Sequence, residues 1–161
     1  MAQQRIEVSI TEQTLTLLRD DRPAAHWSIS TASAGAGQQE GSGCTPTGLH
    51  RIRLKIGEGV PENAVFVGRR ATGEVYSPEL AARHPERDWI LTRILWLQGQ
   101  EWGHNRGGCV DSLRRYIYIH GTPDTEPMGQ PASHGCIRMR NENLLELFEQ
   151  VDTNTLVRIE E

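Results

Sequence analysis

The chain has 161 residues, the length of about one domain, and domains of this order bury roughly two thirds of the surface their unfolded chains expose. A net charge of −4 and a pI near 5.9, with basic residues scattered among acidic ones, leave no broad basic face and exclude nucleic acid as an expected partner. Sixteen glycines and eight prolines amid short runs of Val, Ile, Leu and Thr favour a mainly β fold with loops over a helical bundle.

Met1 to Arg5 leads directly into the alternation Ile6, Val8, Ile10, with no apolar stretch of signal-peptide length. The expected location is therefore the cytoplasm, or the periplasm if a leader was removed. No segment approaches the roughly 20 apolar residues of a membrane span, so no membrane partner is expected. Arg5 to Ile10 and Thr14 to Arg19 alternate around the link Thr11-Glu12-Gln13 and predict two strands. Ala25 to Thr31 predicts a third after the turn Asp20 to Pro23, making a meander. Ala32 to Gly43 is small and polar and reads as a mobile loop. Gly48 to Ile56 alternates so that its apolar members share one face and the basic residues and His50 the other, predicting a surface strand. Trp89 to Leu97 is apolar and rich in β-branched residues, as in a buried central strand. Arg115 to Ile119 alternates as a half-buried strand, with His120 at its exit. Thr122 to Ala132, with Pro123, Pro127, Gly129 and Pro131, then turns the chain back. Leu144, Leu145, Phe148 and Val151 share a helical face within Met139 to Val151, with Asn141 as a candidate N-cap, and Thr155 to Ile159 reads as a closing strand. Without internal repeats, residues 1–161 form one predicted domain.

Cys44, Cys109 and Cys136 make an odd count without zinc-site or disulfide-framework spacing, which suits a reducing compartment. Cys44 and Cys109 read as small packed residues at loop edges. Cys136 differs, because Ser133-His134-Gly135-Cys136-Ile137-Arg138 and the upstream His120-Gly121 supply a thiol, two imidazoles and small residues. A thiol attacks an acyl carbon as thiolate, and a neighbouring imidazole is the usual acceptor of its proton. Cys136 is the candidate nucleophile and His120 the base, with the Gly121 carbonyl accepting the other imidazole N–H and fixing its tautomer. If Ser133 to Cys136 is extended, His134 projects to the side of Cys136 and either supports the thiolate and substrate or holds the loop. Gly135 and the Cys136 backbone N–H are oxyanion-hole candidates, and Ser133 a support for loop geometry. Arg138 either receives a peptide carboxylate or is a solvated surface arginine. For Arg106, Trp102 and Tyr118, structural roles stand ahead of substrate contact.

These residues resemble the signature of the YkuD, or L,D-transpeptidase, family, an upstream His-Gly followed after a loop by Ser-His-Gly-Cys, an aliphatic residue and Arg or Asn. Thr45-Pro46-Thr47-Gly48 resembles the family's glycine-rich entry, and the match is weakest between Val60 and Arg87. The resemblance implies a YkuD-like β-sandwich or meander of mixed strands with one or two short helices. It also implies attack on the bond between the L-centre of the third residue, often meso-diaminopimelate, and the terminal D-Ala of a peptidoglycan tetrapeptide stem. A thioester forms, and His120 would protonate the departing amine. Water as acceptor makes an L,D-carboxypeptidase, the favoured expectation, acting on soluble muropeptides in cytoplasmic recycling. An amine acceptor makes an L,D-transpeptidase that forms 3,3 cross-links or exchanges D-amino acids. Stem peptides or muropeptides are the expected partners, with no cofactor and a monomeric chain. Two other readings remain open, a metal held by His120, His134 and Cys136, which lacks a fourth ligand, and an inactive muropeptide-binding module.

Overall fold

The computed structural model describes residues 3–161; Met1 and Ala2, part of the segment read for a leader, lie outside them. The elements in chain order are β1 (Gln4–Ser9), β2 (Thr14–Arg19), β3 (Arg22–Ser30), β4 (Gly48–Ile56), β5 (Ala64–Val67), β6 (Arg70–Val75), α1 (Pro78–Arg83), β7 (Ile90–Gly99), β8 (Tyr118–Thr122), β9 (Ile137–Arg140), α2 (Asn141–Gln150) and β10 (Leu156–Glu160). The fold is mainly β, with mixed strands and two short helices. The strand order is β4-β10-β1-β2-β3-β9-β8-β7-β5-β6, and a further pairing of β4 with β7 closes the first eight into a ring. β1–β10 and β8–β9 are parallel, and the other pairs are antiparallel.

Alternation builds this sheet. Ile6 and Val8 of β1 and Leu15 and Leu17 of β2 turn into one core with Ile52, Leu95, Ile119, Ile137 and Val157. α2 packs on β7, β8 and β9 through Leu144, Leu147 and Phe148. Leu147, not Leu145, completes that face, because positions three and four apart share a stripe with Leu144. Lys55 Nζ donates to the Phe148 and Val151 carbonyls at 2.7 Å each, satisfying acceptors that the helix end leaves open.

Several sequence expectations are corrected. Residues 113–116 form a turn, with Asp111 Oδ2 accepting the Arg114 N–H at 2.9 Å and Asp111 O accepting that of Arg115 at 3.0 Å. The strand thus starts at Tyr118, and His120 sits inside β8 rather than at its exit. Met139 belongs to β9, and the N-cap of α2 is Arg140. The Asn141 amide is buried, donating to Thr122 O at 3.0 Å and Asn63 Oδ1 at 2.9 Å and accepting from Thr92 Oγ1 at 2.7 Å. His50 lies on the buried face of β4 with Ile52, its Nε2 2.8 Å from Ser112 Oγ, while Leu54 is exposed. A bulge between Ile52 and Leu54 shifts the pleat that uninterrupted alternation assumed. The segment read as a mobile loop is bonded along its length, through Gly37 N–H to Thr45 O, Thr45 N–H to Gly35 O and Ser33 N–H to Ser133 O at 2.9–3.0 Å.

Ile119 has no exposed surface and pairs on both sides within the ring. Ile119→Ala is expected to destabilise the fold by about 2–5 kcal/mol, read as a lower urea midpoint at unchanged m-value.

Candidate active site

β8 carries His120 between Ile94 of β7 and Arg138 of β9, so the imidazole is fixed by a sheet on both sides. The ring is buried, 1% exposed. His120 Nδ1 lies 2.6 Å from the Gly121 carbonyl oxygen. A carbonyl only accepts, so Nδ1 carries the hydrogen and the basic lone pair of the neutral ring falls on Nε2. Burial lowers the affinity of His120 for a second proton, and the bond to Gly121 and the charge of Asp88 oppose this without reversing it. Position 121 has no room for a side chain, because a Cβ there would strike Asn141 Oδ1 and the Leu91 carbonyl.

The nucleophile candidate lines the same cleft from the loop that leads into β9. Cys136 Sγ donates to Tyr116 O at 3.3 Å and accepts the Tyr118 N–H at 3.3 Å. Tyr116 holds a left-handed φ of 58°, an unusual conformation for an aromatic residue, and its carbonyl meets the sulfur. The side chain packs beside Ile94 and Tyr118, and burial pushes the thiol up to about 12 even though the Tyr118 N–H favours the anion. At rest the cleft therefore holds a neutral thiol and a neutral imidazole. The loop ahead of Cys136 is bent rather than extended. Ser133 Oγ donates to Cys136 O at 2.6 Å and accepts Gly135 N–H at 3.3 Å, and Gly135 takes a φ of 133° that side chains avoid. Thr45, fully buried, donates through Oγ1 to Gly135 O at 2.9 Å, joining the Thr-Pro-Thr-Gly segment to the nucleophile loop.

The cleft has a volume of about 310 Å³ and holds His120, Cys136, His134, Tyr118 and Asp88 on its walls. A second groove, walled by Glu40, Arg114 and Ile117, meets it at His134 and Cys136. The His134 side chain is largely exposed, its Nδ1 3.6 Å from Asp88 Oδ2. Arg138 is neither solvated nor free to receive a carboxylate. It is 5% exposed, donates to Asp88 Oδ1 at 3.0 Å and to Ala132 O at 3.1 Å, and lies 3.6 Å from Glu126. Burial pushes the Asp88 carboxyl up, but His120, Arg138 and His134 together bring it below its ordinary range. The Tyr118 hydroxyl accepts from Arg69 Nη1 at 3.2 Å, and burial raises its proton affinity despite that donor. Trp102 and Arg106 do not line the cleft; they stack on each other at 4.5 Å, with Trp102 74% exposed. Asp88, Arg69, Arg115 and Tyr116 complete the walls without having been singled out as site residues in the sequence. The three charged ones leave no trace there beyond a place beside a turn or just before an apolar strand, and Tyr116 reads only as part of an alternating run. Among the described residues no group of three or more His, Cys, Asp or Glu side chains is placed to hold a metal ion.

Fold and cleft define a class, a closed mixed β-sheet domain with a carbonyl-anchored histidine on one strand and a cysteine just ahead of its parallel neighbour. The YkuD family, described as the L,D-transpeptidase catalytic domain, matches residues 3–159, and the chain belongs to it. A stretch of 46 residues, 29% of this chain and 15% of the relative, is 44% identical to Probable L,D-transpeptidase YbiS of Escherichia coli (strain K12). Among solved structures, L,D-transpeptidase 3 from Mycobacterium tuberculosis, in complex with a faropenem-derived adduct, superposes with a TM-score of 0.61 at 16% identity, over 99% of this chain and 61% of that one. An L,D-transpeptidase from Mycobacterium smegmatis gives 0.58 at 14% identity, over 99% and 59%. This chain thus spans less than two thirds of the length of each.

A thiol held near 12 has a thiolate fraction that grows about tenfold per pH unit across the neutral range. Iodoacetamide labelling of Cys136, followed by mass mapping, is expected to accelerate by that factor for each unit between about pH 7 and 10. A plateau near neutrality would instead reveal a preformed thiolate–imidazolium pair.

Proposed function

We propose that the domain is a cysteine acyltransferase that cleaves the bond between the third residue and the terminal D-Ala of peptidoglycan tetrapeptide stems, with water as its principal acceptor. The observation that carries this reading is the cleft that Cys136 shares with a His120 whose tautomer the Gly121 carbonyl leaves basic at Nε2. His120 Nε2 takes the Sγ proton as the sulfur attacks the carbonyl carbon, so the thiolate is made during attack rather than stored. The C–S bond forms and the carbonyl oxygen becomes an oxyanion facing the Cys136 backbone N–H, with Gly135 leaving the approach open. Collapse breaks the C–N bond, and the departing D-Ala amine receives the proton from His120. Water, losing a proton to Nε2, then attacks the thioester and releases the tripeptide and the thiol. His134 contacts substrate from the rim, while Ser133 and Arg138 hold the loop.

Both grooves open to solvent where they meet at Cys136, which favours hydrolysis. The names of the relatives favour the second reading, in which an amine of another stem occupies the groove beside Glu40 and takes the acyl group. Soluble muropeptides in the cytoplasm are the substrates assigned under the first reading. Activity confined to a periplasmic fraction would overturn that assignment.

The purified protein incubated with a soluble disaccharide tetrapeptide is expected to yield tripeptide and free D-Ala by mass spectrometry. Dimer or D-amino-acid exchange as the main product would support transfer, and unchanged substrate would count against both. Cys136→Ser and His120→Gln are each expected to lower kcat by at least about 10²-fold without loss of fold.

A further inference from the structure

Three arginines line the cleft, and their charges are balanced unequally. Arg138 has Asp88 and Glu126. Arg69 and Arg115 have no carboxylate within ion-pairing distance among the described residues. Arg115 borders both grooves beside Cys136 and is gripped by neutral acceptors, with Nη1 donating to Gly37 O at 3.3 Å and Gln38 O at 3.1 Å, and Nη2 to Cys44 O at 2.6 Å. Those three bonds fix the plane of the guanidinium and leave other N–H groups of its five unspent. Partial burial of a cation without a counter-ion is unfavourable, and a bound anion relieves it.

Arg69 stands at the tip of the β5–β6 hairpin, where Gly68 and Arg69 take φ of 57° and 66°, the two left-handed residues of a tight two-residue turn. From there the side chain reaches over the cleft, its guanidinium carbon 5.1 Å from the Trp96 ring centre and 4.6 Å from that of Tyr116, besides the bond to Tyr118 Oη. Stacking uses the faces of a guanidinium and leaves its edge for a planar two-oxygen partner. The acids nearby do not fill these places. Asp88 is held by Arg138 and His134, and Glu40, although its charge acts on Arg115, makes no ion pair with it.

We propose that Arg69 and Arg115 are the receptors for two substrate carboxylates flanking the scissile bond, so that the domain selects stems whose third residue carries a carboxylate on its side chain. This rests on the reaction proposed above. One carboxylate is the free end of the terminal D-Ala. The other is present on a third residue of the diaminopimelate kind and absent from lysine, which is otherwise of similar length and charge at its amine.

Four soluble tetrapeptides test the inference, with diaminopimelate or lysine as third residue and the D-Ala end as free acid or carboxamide. With the unmodified protein, removing either carboxylate is expected to lower kcat/KM for D-Ala or D-alaninamide release by about 10- to 100-fold, the range of a lost charge-assisted hydrogen bond. Arg69→Met and Arg115→Met should each abolish one of the two contrasts and retain the other, mainly through KM. Each contrast is a ratio on a single protein, so a general loss of activity from loosening residues 37–44 cancels. The unmodified protein and Arg69→Met keep the inference refutable where Arg115→Met does not fold. Equal rates on all four substrates, or both contrasts surviving in both variants, would overturn the inference while leaving the reaction standing. Release from none of the four would overturn the reaction itself, and the inference with it.

Discussion

The parallel pairing of β8 with β9 is the constraint on which the site depends. Its register sets Ile119 beside Ile137 and His120 beside Arg138, so the residue just before β9, Cys136, comes level with the backbone of Tyr118 and accepts its N–H. A shift of one residue would turn the sulfur to the opposite face and present Ile137 to the cleft. Parallel neighbours cannot be joined by a tight turn, and the Pro- and Gly-containing crossover between them supplies the length. That crossover is tied down where it matters, by Arg138 to Ala132, by Ser133 to Cys136 and by Thr45 to Gly135. The nucleophile loop is therefore held both by side chains of its own segment, Ser133 and Arg138, and by Thr45 from a distant part of the chain.

Electrostatics follow from the same register. Arg138 next to His120 would by itself oppose an imidazolium there, and the Asp88 and Glu126 carboxylates beside it offset that charge. A thiol–imidazole pair is commonly completed by an acid bonded to the ring. Here the ring is bonded to a backbone carbonyl, and the acid stands one arginine away. Orientation and charge compensation, combined in one side chain in many triads, are divided between Gly121 and Asp88. Because both the thiol and the ring favour their neutral forms, the chemistry asks for a proton to move only once an acyl group is in place.

Much of this was legible in the sequence. The bounds of β2 and β4 coincide with the alternating runs that predicted them, and the apolar stretch ending at Leu97 is indeed a strand paired on several sides. His120-Gly121 and Ser133 to Arg138 pointed to one place in the fold because their chemistry is local and dense. What stayed hidden depends on distance or on single bonds. The run Arg115 to Ile119 alternates as a strand, yet an Asp111 side chain and carbonyl bend its first half into a turn. His50 is expected on the outer face with the basic residues, yet two positions from Ile52 it shares that residue's inner face, and the bulge beyond Ile52 is what turns Leu54 outward. Arg69 and Asp88 enter the cleft from a hairpin tip and a strand approach, where the sequence carries no pattern. Trp102 and Arg106, for which structural roles stand ahead of substrate contact, stack on each other away from the cleft.

The order of strands around the ring has a consequence for how the molecule comes into being. β10, made after the other nine strands of this sheet, lies between β1 and β4, and until it arrives both present unpaired backbone. Contacts spanning nearly the whole chain make for slow folding, and open strand edges invite association between copies in the meantime. A nascent or C-terminally clipped chain would thus be the aggregation-prone species, whereas the finished ring conceals those edges and leaves β6, short and bearing Arg70 and Glu74, as its terminal strand.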